Sequence, residues 1–326
     1  MKKILGLGNA LVDVLIKAES DAMLAELNLP KGSMQLIDAA RADEIANTLA
    51  KSAIERASGG SAANTIHGAT LLGASSGYIG RVGKDEVGDF FTNDLKNAGI
   101  EFHKLLSDNP SGQANTFVTP DSERTFATYL GAAVELSADD LDEEIFKNYH
   151  YFHIEGYLVQ NYDLVETALK YAKRNNVKVS IDLASYNIVE EHKQFLGRVL
   201  QEYVDIVFAN EEEAKAFANK EPGEALELLG CYCEFAVVKT GATGSLIKHG
   251  SERVELGVVP CTPVDTTGAG DNYAAGFLYG LSMGYDIRTA GEIGALMAGR
   301  VIEHYGARLN EESWAKTQQE LKSIVK

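Results

Sequence analysis

Strand-like and helix-like segments alternate through the middle of the chain. Short apolar runs typical of buried strands occur at residues 3–9, 149–155, 177–183, 206–209 and 235–239, with helical spacing at 162–174 and 188–203. This alternation predicts an α/β fold with a mainly parallel sheet covered by helices on both faces, a three-layer α/β/α core. Such sheets bind ligands at the carboxyl ends of their strands, so we expect the functional residues just after the strands.

A hairpin-like stretch interrupts this alternation at residues 113–130. Thr and aromatic residues flank a Pro-Asp-Ser-Glu turn at residues 120–123, as in a β-hairpin. A polar hairpin inside an α/β chain predicts a small sheet that projects from the core. With two further strand-like stretches, we expect a discontinuous β lid at approximately residues 10–17, 33–38 and 101–130, on a single domain over residues 1–326.

The formal net charge of −17 argues against two classes of partner. Such a charge repels nucleic acid and anionic membrane surfaces, so neither is expected to bind. A polyphosphate would need local donors, a helix N-terminus and a metal ion to bind here. No apolar run reaches the roughly 18 residues of a membrane span, polar residues interrupt the first apolar run, and three cysteines give no disulfide framework. We therefore expect a cytoplasmic protein.

The strongest chemical signal is the turn Asp-Thr-Thr-Gly-Ala-Gly-Asp at residues 265–271, which precedes a helix of small residues. Backbone N–H groups around Gly268, Ala269 and Gly270 would converge at the helix N-terminus and form an anion-binding site. The absent glycine side chains let a phosphate approach the backbone closely. Asp271 ends the turn, where a carboxylate can accept a proton from a hydroxyl during phosphoryl transfer. The alternative is that Asp271 only caps the helix.

Residues 265–278 resemble the C-terminal signature of the ribokinase family, the PfkB carbohydrate kinases. Gly-Gly-Ser-Ala-Ala-Asn at residues 59–64 and the stretch at residues 80–88 are similar to other segments of that family, in the same order along the chain. The resemblance implies a ribokinase-like fold and an ATP-dependent kinase that moves the γ-phosphate to a primary hydroxyl, with Asp271 as the catalytic base. It also implies Mg²⁺ as a cofactor and leaves a K⁺ requirement open.

The resemblance further implies the residues that bind the acceptor: Gly59, Gly60, Asn64, Asn9 and Asp13. Arg124 on the expected lid hairpin is a further candidate, which could reach a hydroxyl or a phosphate of the substrate. Ile66 departs from the family's usual small residue, and Ser61 stands where many sugar kinases have Lys or Arg. Both features, and residues 8–13, look more like the adenosine-kinase branch. In that branch Asp13 would grip two vicinal ribose hydroxyls, and bonds to an ionised carboxylate are strong. The alternatives are a turn residue for Asp13, an ordinary helix residue for Asn64 and a solvated hairpin residue for Arg124.

Further residues are implied to contact the nucleotide. They follow strand-like segments, except Ala298, which lies in a helical stretch: Asn210, Lys239, Thr240, Gly241, Gly244, Asp265, Thr267 and Ala298. Asn210 opens an Asn-x-x-Glu stretch in which Glu213 is implied to bind Mg²⁺ through water, because Mg²⁺ keeps several of its waters. The helical stretch 295–304 is implied to wall the adenine. The structural alternatives are a solvated acidic helix start, a plain hairpin turn at residues 239–244, and core packing of residues 295–304.

Three functions are open on these grounds: an adenosine-like nucleoside kinase, a sugar kinase of the ribokinase or fructokinase type, and a non-catalytic nucleotide- or sugar-binding protein. The expected partner is a small molecule in each case. A purine needs apolar or aromatic walls, for which the candidates are Leu11, Leu36, Phe117, Leu130 and Tyr157, whereas a free sugar needs polar groups. We expect a monomer or a homodimer that pairs through the lid, since open strand edges invite pairing.

Overall fold

The structure is a computed structural model that describes residues 2–18, 20–49, 54–120 and 124–325. The strands are β1 (Ile4–Leu7), β2 (Leu11–Lys17), β3 (Met34–Leu36), β4 (Ile54–Gly59), β5 (Ser76–Gly83), β6 (Glu101–Ser107), β7 (Gly112–Val118), β8 (Arg124–Tyr129), β9 (Tyr151–Glu155), β10 (Lys178–Asp182), β11 (Ile206–Asn210), β12 (Phe235–Lys239), β13 (Ser245–His249) and β14 (Glu252–Leu256).

The helices are α1 (Asp21–Glu26), α2 (Ala39–Leu49), α3 (Ser61–Leu71), α4 (Glu86–Asn97), α5 (Glu143–Phe146), α6 (Tyr162–Arg174), α7 (Tyr186–Glu202), α8 (Glu211–Ala218), α9 (Pro222–Tyr232), α10 (Ala269–Met283), α11 (Ile287–Val301) and α12 (Glu311–Ile324). The predicted helix over residues 162–174 matches α6. The stretch 295–304 begins inside α11 and its last three residues lie beyond the end of that helix, so its predicted bounds are wrong. No helix in the described part of the chain is long and apolar enough to cross a bilayer.

Within the described residues, nine strands form the main sheet in the order β14-β13-β12-β11-β10-β9-β1-β5-β6. From β12 to β6 every neighbouring pair is parallel, while β13 and β14 add an antiparallel edge. All four residues of β1 and all five of β9 are buried. Continuous burial is typical of strands covered on both faces, and it confirms the predicted α/β fold with a mainly parallel sheet.

The side chains of β1 alternate between two hydrophobic cores. Ile4 packs in a core that includes α3, α10 and α11, whereas Leu5 and Leu7 belong to a core that includes α6 to α9. These three side chains are completely buried, and each contributes about 1.5–3 kcal/mol to the free energy of unfolding. The two cores confirm the three-layer α/β/α arrangement.

A second sheet forms the lid, in the order β3-β8-β7-β2-β4 within the described residues. The predicted hairpin is present as the antiparallel pair β7 and β8, although residues 121–123 of its turn lie outside the described part. The predicted lid range 101–130 begins too early, because β6 pairs with β5 at the edge of the main sheet. β4, which the sequence analysis missed, completes the lid by pairing with β2.

Candidate active site

Polar residues from four neighbouring strands meet at one edge of the main sheet. β9 ends at Glu155, β10 at Asp182, β11 at Asn210 and β12 at Lys239. Because these strands are parallel, their carboxyl ends lie together, where ligands of such sheets bind. A cleft of about 880 Å³ follows this edge and is lined in part by Asp182, Asn210 and Lys239. That volume is typical of sites for small molecules.

An ion pair between Lys239 and Asp182 places a positive charge in the cleft. Lys239 Nζ donates to Asp182 Oδ2 at 2.6 Å. Burial disfavours the ammonium, but the carboxylates of Asp182, Glu213 and Asp271 together outweigh burial and raise the pKa of Lys239. The same Nζ would lie 2.9 Å from a Cβ built on Gly270. The charge therefore sits beside the first turn of α10, where an anion would also meet backbone N–H groups.

The glycine turn is held from behind by polar contacts. Gly268 adopts a left-handed φ of 71° immediately before α10, a conformation that favours glycine. The buried Asp265 accepts from Thr267 N at 2.6 Å and from Gly306 N at 2.8 Å, while Asn272 Nδ2 donates to Gly268 O at 2.9 Å. Asp265 and Thr267 thus support the turn, and neither lines the cleft, which Ala269 and Gly270 do.

Asp271 lies in the first turn of α10, and its carboxylate bonds to α3. Ser61 Oγ donates to Oδ1 at 2.8 Å, and Asn64 Nδ2 donates to Oδ2 at 3.0 Å. Burial raises the pKa of Asp271 to about 6, against the lowering effect of these two hydrogen bonds. Asp271 also lines the cleft. Hydrogen bonds to another helix do not fit a residue that only caps its own helix.

Glu155 connects Asn9, which follows β1, to Ala62 in the first turn of α3. Its Oε1 accepts from Asn9 N at 2.9 Å and Asn9 Nδ2 at 2.6 Å, and its Oε2 accepts from Ala62 N at 3.0 Å. Burial raises the pKa of Glu155 to about 7. Gly60 has a φ of 94°, and a Cβ there would lie 2.2 Å from Asn9 O. Glu155 therefore joins the end of β1 to the start of α3, and the side-chain amide of Asn9 is engaged in this contact.

Asp13 and Asn64 present polar atoms beside these turns. Asp13 is half-buried in β2, and a Cβ on Gly59 would lie 2.2 Å from its Oδ2. Burial raises the pKa of Asp13 to about 7, Arg308 lowers it and Asp271 raises it. Asn64 Oδ1 is buried and has no hydrogen-bond partner among the described residues. A buried acceptor without a partner is unfavourable, so this atom suits a hydroxyl of a bound molecule.

Asn210 and Glu213 form a reciprocal cap at the start of α8. Glu213 N donates to Asn210 Oδ1 at 2.8 Å, and Asn210 N and Nδ2 donate to the Glu213 carboxylate at 2.8 and 2.7 Å. Glu213 is only 2% exposed, so a solvated acidic helix start is the wrong description. Burial raises its pKa to about 7. The described residues contain no group of three or more His, Cys, Asp or Glu side chains that could hold a metal ion.

The turn after β12 brings two of its glycines to the cleft. Gly241 and Gly244 line the cleft and have positive φ values of 52° and 111°. A Cβ on Gly244 would lie 1.9 Å from Leu256 O, so the chain tolerates only glycine there. Thr240 is buried, donates its N–H to Gly244 O at 2.8 Å and does not line the cleft. Thr240 closes the turn and leaves the glycines exposed.

The far end of the cleft is apolar. Its lining there includes Val258, Val259, Ala295, Ala298 and Ile302. Residues of the stretch 295–304 therefore line the cleft, and their contact with adenine stays a prediction. The segment 257–261 also lines the cleft, and the sequence analysis did not assign it.

Two carboxylates at the sheet edge, Glu155 and Asp182, were also missed. Each ends a strand that the sequence predicted, so the rule that ligands meet strand ends would have found both.

One face of the lid sheet carries Asp13 among mostly apolar residues. The strand registers align Ala57, Asp13, Ala114, Thr128 and Leu36 in one row across the five strands. Residues in such a row point to the same face. Leu36 is 66% exposed at the edge of this face.

The other predicted lid residues differ in outcome. Tyr157 is 41% exposed and lines the cleft. Phe117 is completely buried in a hydrophobic core, so its expected role as a pocket wall is wrong. Arg124 begins β8, but its side chain lies outside the described part of the structure, and its role stays a prediction.

Comparisons with known proteins agree with this fold. A model of the pfkB family carbohydrate kinases matches residues 27–314. The crystal structure of adenosine kinase from Sinorhizobium meliloti is 35% identical, with a TM-score of 0.86 over 98% of this chain and 99% of that one. That of a probable sugar kinase protein from Rhizobium etli CFN 42 is 32% identical, with a TM-score of 0.87 over 98% of each chain. Adenosine kinase from Saccharomyces cerevisiae is 29% identical over 92% of this chain and 94% of its own.

Proposed function

Since this chain belongs to the pfkB family of carbohydrate kinases, we propose that it phosphorylates a primary hydroxyl of a purine nucleoside. The phosphoryl donor is ATP, the substrate that the family implies, and the protein is an ATP-dependent phosphotransferase. The acceptor class and the roles of individual residues are the parts that we propose. The supporting observation is the Asp271 carboxylate, which lies between the glycine turn and the polar groups of α3.

In this proposal Asp271 is the general base. Ser61 and Asn64 orient its two oxygens, and a pKa of about 6 leaves the group ionised yet basic near neutral pH. Asp271 accepts the proton of the attacking hydroxyl. Main-chain N–H groups of Gly270 and Asp271 stabilise the charge on the transferred group, because preorganised donors at a helix N-terminus act without reorganisation. The expected third donor, Ala269 N, instead donates to Thr266 O at 3.2 Å.

The nucleotide would lie along the sheet edge with its base at the apolar end. Lys239 neutralises phosphate charge beside Gly270, and Ala298 contacts the base. Mg²⁺, when bound, supplies charge neutralisation on the phosphates, and Glu213 and Asn210 would hold its waters. The K⁺ requirement, the cytoplasmic location and the choice between a monomer and a lid-paired homodimer stay predictions.

The lid supports a nucleoside as the acceptor. Asp13 would accept hydrogen bonds from two vicinal hydroxyls, and Asn64 Oδ1 offers a further acceptor atom. The residues that share a row with Asp13 across the lid sheet are mostly apolar, and the row ends at the exposed Leu36. Tyr157 adds an aromatic ring at the cleft. Apolar surface next to a carboxylate matches a purine joined to a ribose. A free sugar would leave this apolar surface exposed to water.

The test is ATP turnover against a matched panel of adenosine, guanosine, inosine, ribose and fructose, each measured with and without K⁺. We expect the highest kcat/KM with a purine nucleoside. If kcat/KM is highest with a free sugar, the protein is a sugar kinase and the proposed nucleoside acceptor is wrong. ATP binding without turnover of any hydroxyl compound would favour the non-catalytic alternative and overturn the proposal.

A further inference from the structure

The segment 306–308, which follows α11, contacts the back of the glycine turn. Gly306 N donates to Asp265 Oδ2 at 2.8 Å, and Ala307 O accepts from Asn272 Nδ2 at 2.9 Å. A Cβ built on Gly268 would lie 2.6 Å from the Cβ of Ala307. The position of this segment therefore affects the position of the turn itself.

The next residue of the segment, Arg308, reaches the base of the lid instead. Its guanidinium donates to Asp94 Oδ2 in α4 at 2.6 Å and to Ser58 Oγ in β4. Asp94 Oδ2 also accepts from Ser58 N at 3.1 Å and Ser58 Oγ at 2.5 Å. Ser58 directly precedes the Gly59–Gly60 turn. The side of the cleft that carries Asp13, Gly59, Gly60 and Asn64 is called the acceptor side. Arg308 thus connects the segment that supports the glycine turn to the strand that leads into the acceptor side.

The charge of Arg308 also acts on the acceptor side. The side chain is 13% exposed, and its Nε is buried without a hydrogen-bond partner among the described residues. Its positive charge lowers the pKa of Asp13. An ionised Asp13 accepts hydrogen bonds from hydroxyls more strongly than a protonated one.

We propose that Arg308 is a positioning residue for the acceptor: it ties β4 to the support of the glycine turn, and it places a positive charge on the side of the cleft where Asp13 packs against Gly59. The inference rests on the proposed function, in which Asp13 binds acceptor hydroxyls. It assigns Arg308 no contact with the reacting atoms. The two parts, a tether and a charge, make different predictions for different substitutions.

The charges around this pair set the sign of the pH dependence. Asp13 faces Arg308 from the segment after α11 and Asp271 from α10. Arg308 in turn faces Asp94 of α4 and His67 of α3, whose pKa burial and Arg308 together lower to about 3, so His67 is neutral at pH 7. Removing the guanidinium leaves Asp13 with its burial and the repulsion of Asp271, both of which raise its pKa. Asp13 then stays protonated to a higher pH.

The first test is Arg308→Met in the full chain, with adenosine and ATP as substrates. We expect the KM for adenosine at pH 7 to rise about tenfold, the factor of one charged contact, and the KM for ATP to change little. The acidic limb of kcat/KM for adenosine should move to higher pH. Arg308→Lys keeps the charge, so its limb should stay near that of the wild type.

Arg81→Met is the matched control. Arg81 is 17% exposed, pairs with Asp140 and Glu135, and also has a buried Nε without a partner in the described part of the structure. This variant should lose stability while its pH limb and its KM for adenosine stay unchanged. An equal effect of both substitutions would show that Arg308 acts only through general stability, and the proposal would fail.

Asp94→Asn separates the tether from the charge and serves if Arg308→Met does not fold. It weakens the tether while keeping the guanidinium, so we expect a higher KM for adenosine without movement of the limb to higher pH. Wild-type KM and pH limb in both Asp94→Asn and a folded Arg308 variant would overturn the inference. Asp13→Asn distinguishes this failure from failure of the proposed function: an unchanged KM for the acceptor in that variant would remove Asp13 itself from its role.

Discussion

The glycine turn at residues 265–271 and the acceptor side of the cleft hold their polar groups by different means. The turn presents main-chain N–H groups, and its shape comes from a left-handed Gly268 and the buried Asp265. The acceptor side presents side chains that different elements deliver, among them Asp13 from β2 and Asn64 from α3. We therefore expect the activity to be sensitive to added side-chain volume in the glycine turn. On the acceptor side, we expect it to be sensitive to the loss of a side-chain charge.

The two regions meet at Asp271, so its replacement should have the largest effect. We expect Asp271→Asn to lower kcat by about 10²–10⁴-fold or more, because the amide cannot accept the proton as a base does. Nucleotide affinity, measured by calorimetry, should stay near that of the wild type. Asp286→Asn is the control, since Asp286 caps the adjacent α11 and Asn caps helices equally well. Wild-type kcat in Asp271→Asn would remove the residue from its role.

A change of volume at the turn should have the next largest effect. Gly268→Ala places a Cβ 2.6 Å from that of Ala307. The turn must therefore shift, and its N–H groups no longer point towards the transferred phosphoryl group. We expect kcat to fall by about 10²–10³-fold, as when an oxyanion donor is lost.

Gly284→Ala controls for backbone strain in the same helix. Gly284 has a φ of 84°, and a Cβ there meets nothing within 4 Å. It should lower stability by about 1–2 kcal/mol without changing kcat. If both variants lose kcat equally, the effect comes from helix stability, and the special role of the turn is wrong.

On the acceptor side, Asp13→Asn should act on binding. The amide keeps the shape of the carboxylate but loses its charge, and charge-assisted bonds are worth about 1.5–3 kcal/mol. We expect the KM for the acceptor to rise about 10–100-fold, with the KM for ATP within a small factor of wild type. Steady-state kinetics with each substrate varied in turn makes this measurement. A matching loss of ATP affinity would contradict the separation of the two sides.

The smallest expected effect is a difference in pH dependence. Both Asp271 and Asp13 act as carboxylates, and burial raises their pKa values to about 6 and about 7. Activity should therefore fall as the pH decreases through this range and be complete above it. Asp13→Asn removes one of the two groups, so the acidic limb of its kcat/KM should lie lower, near that of Asp271. If the acidic limb of Asp13→Asn is the same as that of the wild type, the limb reports the titration of other buried carboxylates, such as Glu155.

The local sequence was sufficient to predict elements whose residues lie close together in the chain. The strand and helix at residues 149–174 follow from periodicity, and the glycine turn follows from residues that a single bend brings together. The prediction that the lid begins at residue 101 is wrong, because β6 pairs with β5 in the main sheet. The sequence of β6 alone does not distinguish between pairing in the main sheet and pairing in the lid. Phe117 failed for a similar reason, since an aromatic residue fits a pocket wall and a core equally well.

The sequence alone determined the α/β class and the glycine turn that opens a helix with Asp271 in its first turn, because backbone conformation and side-chain period depend on neighbours in the chain. Only the tertiary structure decided that Ser61 and Asn64 orient Asp271, that Glu155 joins β1 to α3, and that Arg308 reaches Ser58 and Asp94. These contacts join residues up to 250 positions apart. Their formation depends on how the layers pack, which no local pattern encodes.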